Sequence, residues 1–417
     1  MRRHALLIVV GCLVQAVTVV QADDAAPASP SPSPISRPLA STPARPSPAK
    51  ALNALPWLQG STHVHAAPSG DSSTSVPNVI AWYERHGYDF IVLTDHNRVT
   101  EAKSGSDTQG KPYVRNPDKG LIVLAGVELT NNPDNCDPPA IGSGLGAEAP
   151  LKCRIHVNGI GVTDRPIGKI AWAAHKEPAR IVKYAKAIAT IRKLGRHALV
   201  QLNHPQWHWG MTAPVLEATV RGGAQLLEIA NVQFATWNAG DAAHPSMEVL
   251  WDGVLQQGLT AWAIASDDAH DYDDAGGKYP AGGGFVVVNA RRKPAEILAA
   301  LRAGKFYAST GVLLSKLHVV DGVLTVEVAT MQPAAGPKNG ANERTLGAGP
   351  KNGANERTLG AGATKIEFIE DGKIVATIDG NAASRAVPSH GYLRATITRS
   401  DGAKAWVQPQ RAASKRK

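Results

Sequence analysis

Residues 89–97, Asp89-Phe90-Ile91-Val92-Leu93-Thr94-Asp95-His96-Asn97, contain the pattern that decides the fold. A short run of large and β-branched apolar side chains is followed at once by acidic, imidazole and amide groups. Such a run is typical of a buried β-strand, and the polar residues then begin the loop after the strand. Further apolar runs of this kind lie at 121–127, 155–162, 198–202, 225–229 and 259–265.

Helical patterns separate several of these runs. Apolar residues recur at helical spacing in 76–86, 179–194, 246–257 and 294–303. Strands that alternate with helices favour a parallel sheet, which can close into a barrel. The sequence therefore predicts an α/β fold with a parallel sheet closed as a barrel, in which the loops after the strands carry the chemistry.

Metal-binding side chains cluster where the predicted strands end. In extended chain, residues i and i+2 point the same way, so His63 and His65 can face one ion, as can Asp268 and His270. Imidazole and carboxylate groups suit Zn, Mn or Fe. A single histidine is more often a core or surface residue, but repeated clusters predict a site for two to three divalent ions. The clusters are His63-Val64-His65 with Asp71, Asp95-His96-Asn97, Glu128, His156, Asn203-His204-Pro205 and Asp268-Ala269-His270.

These clusters resemble the PHP (polymerase and histidinol phosphatase) superfamily over roughly residues 55–315. The resemblance implies a distorted (β/α)7 TIM-like barrel that carries up to three metal ions. The ligand positions of the superfamily correspond to His63, His65, Asp71, His96, Glu128, His156, His204, Asp268 and His270. Many members have histidine where this chain has Asp71. Residues 301–311 and 405–409 look like segments of the CehA/McbA metallohydrolase group, which includes carbaryl hydrolases.

The expected chemistry is ester hydrolysis, because bound ions lower the pKa of water and neutralise charge on ester oxygens. Glu128 and Asp268 are the predicted catalytic residues. Glu128 is expected to bridge two ions, and Asp268 to orient the nucleophile or to move its proton while it remains a ligand.

Five other polar residues are candidates for supporting roles. Asp95, Asn97 and Asn203 stand beside predicted ligands in the sequence, where they are expected to orient them. Glu228 and Asn231 follow another predicted strand and are candidates for contact with substrate. A packing role is the alternative for each of them.

The amino terminus has the pattern of a secretory signal peptide. Residues 1–22 begin with Arg2 and Arg3, continue as an apolar stretch and end in a small-residue triplet that fits cleavage after Ala22. The apolar run is shorter than the ~20 residues that a membrane span needs, although a spanning helix or a lipid anchor at Cys12 is the alternative. We expect a periplasmic or secreted protein without a transmembrane span.

Removal of the signal would leave two cysteines, Cys136 and Cys153, in an oxidising compartment. They are expected to form a disulfide. The alternative is a pair of thiolate metal ligands, which the lack of a closely spaced cysteine pair disfavours.

Changes in amino-acid composition along the chain indicate where its segments and domains begin and end. Residues 23–52 are rich in Pro, Ser and Ala and are expected to form a disordered linker before a metallohydrolase barrel at 53–313. Residues 314–410 contain Val/Thr-rich runs and Asp-Gly turns, which predict a small antiparallel β-sandwich domain. Within it, a 13-residue segment occurs twice in 336–361, and a basic tail follows at 411–417.

The formal net charge of +9 mildly favours an anionic small-molecule ester as substrate. No basic stretch interleaved with aromatic residues predicts nucleic-acid binding. The leading functional hypothesis is a phosphoesterase. A carbamate or carboxyl ester hydrolase with the same site is the alternative, and a non-catalytic metal- or glycan-binding envelope protein is a third hypothesis.

Overall fold

The computed structural model describes residues 55–100, 120–141, 152–162, 168–173, 177–273, 277–330 and 364–412. The predicted signal peptide (1–22), linker (23–52) and duplicated segment (336–361) lie outside these ranges, as does the basic tail from residue 413 onward. No helix in the described ranges is both long and apolar enough to cross a membrane.

Strands and helices are interspersed up to residue 309, with no helix among the described residues between 86 and 179, and the described residues beyond 309 form further strands. The strands are β1 (Trp57–Val64), β2 (Phe90–Leu93), β3 (Arg98–Val99), β4 (Ile122–Asn131), β5 (Ile155–Ile160), β6 (Gly168–Lys169), β7 (Leu199–Leu202), β8 (Leu226–Asn231), β9 (Trp262–Ser266), β10 (Phe285–Asn289), β11 (Phe306–Ser309), β12 (Leu314–Val320), β13 (Val323–Val328), β14 (Thr364–Glu370), β15 (Lys373–Asp379), β16 (Ala382–Ala386), β17 (Leu393–Arg399) and β18 (Lys404–Gln410). The helices are α1 (Val76–Arg85), α2 (Arg180–Leu194), α3 (Ala213–Arg221), α4 (Ala235–Ala239), α5 (Met247–Gln256) and α6 (Pro294–Arg302), with 3-10 turns at Ala67–Ser69, Trp207–Trp209 and Val232–Phe234.

Thirteen of these strands form one sheet, in the order β15-β14-β17-β18-β11-β10-β1-β2-β4-β5-β7-β8-β9. β1, β2 and β4 run parallel, as do β7, β8 and β9. β5 is antiparallel to both of its neighbours, and β10 is antiparallel to β1 and β11. The protein therefore has a mixed α/β fold with a large sheet and several helices. A closed TIM-like barrel is not shown by this pairing.

The apolar runs form strands because both faces of the sheet are covered. All four residues of β2 and all six of β8 are buried, as continuous apolar runs require. The helix predicted at 76–86 is confirmed as α1, which begins after Ser75 with a proline in its first turn. The other three predicted helices are confirmed as α2, α5 and α6, each within one residue at either end.

The prediction of a parallel sheet is wrong at β5 and at β10, and for β5 the connection before the strand explains the difference. Parallel neighbours need a long crossover, usually a helix, and the described residues between β4 and β5 contain none. That connection instead carries the predicted disulfide between Cys136 and Cys153, which the structure confirms. As a result, His156 at the start of β5 pairs with Thr130 near the end of β4.

The carboxyl-terminal strands are joined by tight turns at the predicted Asp-Gly pairs. Asp321 and Gly322 both have positive φ, and so do Asp371 and Gly372, which is the backbone conformation of a two-residue hairpin turn. β12, β13 and β16 form a separate three-stranded sheet. Apolar side chains of β13 pack in one core cluster with those of β14, β17 and β18, so the two sheets bury their facing surfaces.

Two contacts attach these strands to the amino-terminal part of the fold. β18 pairs with β11, so the large sheet continues into the carboxyl-terminal region. The side-chain amide of Gln408 donates to the carbonyl of Ala263 (2.8 Å) and accepts from its N–H (2.9 Å). It thereby satisfies backbone groups of β9, the last strand in the sheet order.

A buried ion pair links β17 to α5. The Arg394 guanidinium donates to both carboxylate oxygens of Asp252, at 2.7 and 2.6 Å. Burial lowers the pKa of Arg394, but Asp252 and Glu248 outweigh this effect and raise it. The Arg394 guanidinium therefore stays charged inside the protein.

We expect Arg394→Ala to destabilise the protein by about 3–5 kcal/mol, because it leaves the Asp252 carboxylate buried without its cation. Urea unfolding followed by tryptophan fluorescence measures this change. Lys316→Ala is the control, since it removes only an exposed pair with Glu327 and should cost about 0–1 kcal/mol. A loss below 1 kcal/mol for Arg394→Ala would contradict the assigned role of the pair.

Candidate metal centre

All nine predicted ligands meet at one edge of the large sheet. β1, β2, β4, β7 and β9 end at this edge because they point the same way, and β5 begins there because it is antiparallel. The strand directions therefore bring together residues from widely separated parts of the chain. The nine are His63, His65, Asp71, His96, Glu128, His156, His204, Asp268 and His270.

Their ligand atoms form three overlapping groups, in each of which the atoms lie within 4.8 Å of one another. The groups are His65, Asp71, His96 and His270; His63, His65 and Glu128; and Glu128, His156 and His204. Asp268 joins two of them, because its carboxylate lies 3.1 Å from Nε2 of His63 and 3.7 Å from Nε2 of His204. Buried His, Glu and Asp groups that could hold metal ions are therefore present.

Backbone contacts join the segment of His63 and His65 to the segment of Asp268 and His270. Val64 forms a parallel bridge with Ala269, and the N–H of His65 donates to the carbonyl of Ala269 at 3.0 Å. Asp268 has a φ of 48°, in the left-handed region that a non-glycine residue rarely adopts. Such strained residues concentrate at functional sites, where the surrounding structure holds them in place.

The spacing of buried ligand atoms indicates that the cluster fits metal ions. Nε2 of His65 and Oε2 of Glu128 are buried and make no hydrogen bond of good geometry, although they lie 3.2 Å from Oδ1 of Asp268 and 2.6 Å from Nδ1 of His96. Nδ1 of His65 is engaged by the Ser69 hydroxyl at 3.0 Å, which leaves Nε2 directed at the carboxylates. Imidazole nitrogens and carboxylate oxygens are suitable ligands for Zn, Mn or Fe, so the residues fit such ions.

Electrostatics keep several groups in the form that binds metals. Burial lowers the pKa of His65 to about 3 and that of His156 to about 4, so both are neutral at pH 7. Burial alone would raise the pKa of Glu128, but His156 and other neighbouring histidines hold it well below its usual range. Its carboxylate is therefore ionised.

His96 differs from these histidines. Burial lowers its pKa, but Glu128 and Asp71 outweigh this effect and raise it to about 10. The side chain is therefore protonated at neutral pH. Because a metal ligand must be a neutral imidazole, metal binding at His96 has to release a proton.

Glu228, a predicted substrate contact, instead supports two ligands. It is fully buried, and its Oε1 accepts from Nδ1 of His63 at 2.7 Å and from the Ser266 hydroxyl at 2.6 Å. Its Oε2 accepts from the backbone N–H of His204 at 2.6 Å. A carboxylate behind a histidine fixes the tautomer and ring direction, so that Nε2 of His63 faces the cluster.

Two amide residues complete this support. Asn203 donates from Nδ2 to Oε1 of Glu128 at 2.8 Å, as expected of a residue that orients a ligand. Asn231 donates to Oε2 of Glu228 at 3.0 Å and to Oδ2 of Asp268 at 3.3 Å. Asn231 is fully buried, so it contacts ligand-supporting carboxylates and not the open side of the cluster.

The remaining two candidates shape the loop after β2. Asp95 is fully buried and accepts from the N–H of Ala66 at 2.8 Å and from the Thr100 hydroxyl. Asn97 exchanges hydrogen bonds with the backbone of Thr130 and accepts from the Trp172 indole at 2.8 Å. Both residues position His96 through the backbone of the loop and make no direct contact with the ligand atoms.

Several supporting residues were missed in the sequence. The Thr130 hydroxyl lies 2.6 Å from Nδ1 of His96, and Oδ1 of Asn132 accepts from Nε2 of His156 at 2.8 Å. Thr130 stands two residues after Glu128 in β4, so strand alternation placed it on the same face and could have indicated it. Asn132 lies beyond the strand, and no local pattern marks it.

Asp267 is a further buried carboxylate beside the cluster that the sequence analysis did not select. It accepts from the hydroxyls of Ser61 (2.8 Å) and Tyr83 (3.0 Å) and from the N–H of Gly282 (2.8 Å). Burial raises its pKa to about 6. Its contacts are structural, since they attach the segment before β10 to β1 and α1.

Comparisons with known protein families and curated proteins identified no relative. No model of a known protein family matches the sequence, and no curated protein matches it. Functional inference therefore depends on the geometry of the cluster.

We expect Glu228→Gln to weaken metal binding by about 10- to 100-fold, the usual effect of losing a carboxylate behind a ligand histidine. The fold should persist because glutamine has nearly the same shape. Competition with a chromophoric chelator measures the affinity. Glu217→Gln, on the exposed face of α3, is the matched control and should bind metal as the unmodified protein does; equal affinity in both variants would exclude the assigned role.

Proposed function

We propose that this protein is an exported metal-dependent hydrolase of the PHP superfamily, and that it acts as a phosphoesterase. One observation carries the proposal: three groups of candidate ligand atoms overlap at one edge of the sheet through His65 and Glu128, and all of their members except Asp71 and His96 are buried. A multinuclear cluster suits substrates that develop charge on several oxygens, as phosphate esters do during displacement.

We further propose that the seven strands β1, β2, β4, β5, β7, β8 and β9 close into the distorted barrel of that superfamily. The bridge between Val64 and Ala269 supports closure, since it brings the end of β1 to the segment that follows β9. The carboxyl-terminal sheets would then form an appended β-sandwich whose Gln408 covers the backbone of β9.

In this proposal, divalent ions held by the nine residues supply a hydroxide near neutral pH by lowering the pKa of bound water. Glu128 is fully buried and shared by two groups, so it sets their separation and does not contact substrate. Burial raises the pKa of Asp268, but His63 and other histidines outweigh it and hold the pKa well below its usual range. Asp268 is therefore a weak base that accepts a hydrogen bond and orients the nucleophile.

Export is part of the proposal. The signal-like residues 1–22 motivate it, and the Cys136–Cys153 disulfide supports it because disulfides persist in oxidising compartments such as the periplasm.

A substrate panel tests the proposed activity. We expect metal-dependent turnover of p-nitrophenyl phosphate or its diester, with slower turnover of a neutral aryl methylcarbamate. The protein is assayed after chelation and after reloading with Zn, Mn or Fe.

His63→Ala with His65→Ala should abolish both metal content and turnover, because these residues belong to two of the three ligand groups. His390→Ala changes an exposed histidine in the carboxyl-terminal region and should change neither. Carbamate turnover alone would favour the alternative ester hydrolase. Bound metal without turnover on any of the three substrates would favour a binding protein and contradict the proposal.

A further inference from the structure

A row of aromatic and imidazole rings runs across the candidate metal centre. From one end, Tyr279 lies 5.2 Å from His270, His270 lies 6.1 Å from His96, and His96 lies 5.8 Å from His156, measured between ring centres. Trp207 follows at 5.8 Å from His156. The three histidines in the middle are candidate ligands, so Tyr279 and Trp207 border the cluster on its two sides.

A cation covers the aromatic ring at each end of this row. The Arg154 guanidinium carbon lies 4.1 Å from the centre of the Trp207 ring. The Lys278 ammonium lies 4.9 Å from the centre of the Tyr279 ring. Both distances are within the range of cation–π attraction. Each cation is therefore one ring away from a candidate ligand histidine.

The backbone around Arg154 holds it in this place. Arg154 has a φ of 48°, a strained conformation for a residue with a side chain. The preceding Cys153 is fixed by its disulfide to Cys136 and by its carbonyl, which accepts from the Arg180 guanidinium at 2.7 Å. Ile155 begins the pairing of β5 in the next position, opposite Asn131. The chain around Arg154 is therefore fixed on both sides.

Lys278 is placed by the turn that carries Tyr279. The carbonyl of Tyr279 accepts from the N–H groups of His270 and Asp271, at 2.9 and 3.0 Å. The N–H of Tyr279 donates to the Asp271 carboxylate at 2.8 Å. These bonds tie Tyr279, and with it Lys278, to the ligand His270.

We propose that Arg154 and Lys278, each held over an aromatic ring, are the anion-recognition residues of the candidate site, so that its substrate is an anionic phosphate ester and not a neutral ester. The inference rests on the proposed hydrolase function and goes beyond it by assigning specificity to two residues outside the ligand set. Arg154 offers a planar set of donors that matches two oxyanion oxygens, and Lys278 offers a point charge at the opposite end. A neutral carbamate presents no charge to either residue.

Changes in KM and in kcat of alanine variants separate a role in substrate recognition from a role in catalysis. In Arg154→Ala, we expect KM for p-nitrophenyl phosphate to rise about tenfold, the loss expected for one hydrogen bond to a charged group. In Lys278→Ala, we expect a rise of about two- to threefold, because this charge stands at the opposite end of the row and acts on the same phosphate over a longer distance. kcat should change by less than about threefold, because neither residue is placed among the metal ligands. kcat/KM for neutral p-nitrophenyl N-methylcarbamate should stay within about twofold.

Binding of inorganic phosphate provides a readout that does not depend on turnover. Isothermal titration calorimetry of the metal-loaded protein should show a phosphate Kd weakened about tenfold in Arg154→Ala, by about two- to threefold in Lys278→Ala, and largely retained in Arg154→Lys. Arg411→Ala is the matched control, since it removes a cation placed 5.4 Å over the Tyr392 ring in the carboxyl-terminal region. It should leave both KM and the phosphate Kd unchanged.

The outcomes distinguish this inference from the proposed function. Weakened phosphate binding in both alanine variants supports anion recognition even if the unmodified protein hydrolyses none of the substrates. Unchanged KM and Kd in the variants overturn the inference even if the enzyme is an active phosphoesterase. Absence of phosphate binding to the unmodified protein, or an equal loss on the neutral carbamate, overturns it as well.

Discussion

The fold depends on the interactions that stabilise two buried carboxylates, those of Glu128 and Glu228. Glu128 and Glu228 are both fully buried, and an isolated carboxylate in that position would be strongly unfavourable. Each is surrounded by imidazoles, amides or hydroxyls from several strands. The edge of the sheet can therefore fold only if these partners converge, which makes the cluster a constraint on the whole fold.

The order of the strands satisfies this constraint. Parallel strands bring their carboxyl ends to one edge, and the reversal of β5 brings the beginning of a strand to the same edge. The disulfide before β5 lies outside the cluster, yet it holds the segment that leads into β5 and His156.

Much of this arrangement was predictable from the sequence, because local patterns have local causes. The apolar strand runs, the Asp-Gly turns and the convergence of polar clusters at the strand ends follow from side-chain periodicity and turn chemistry. The choice of nine ligands within those clusters came from the resemblance to the PHP superfamily. The direction of β5 was not predictable, since an apolar run is the same in parallel and antiparallel pairing. Glu228 was recognised as a candidate, but its contact with His63 was not, because this is a tertiary contact between residues far apart in the chain. Arg154 and Lys278 carry no motif at all, and only the ring geometry indicates them.

The central claim is that the nine clustered residues bind more than one divalent ion. The most direct test is an anomalous difference map from crystals of the purified protein loaded with Zn or Mn, combined with metal analysis of the same preparation. The account predicts at least two peaks, each about 2.0–2.3 Å from imidazole or carboxylate atoms of the three groups, with Glu128 between two of them. A map without peaks at the cluster, from protein that contains no stoichiometric metal, would contradict it.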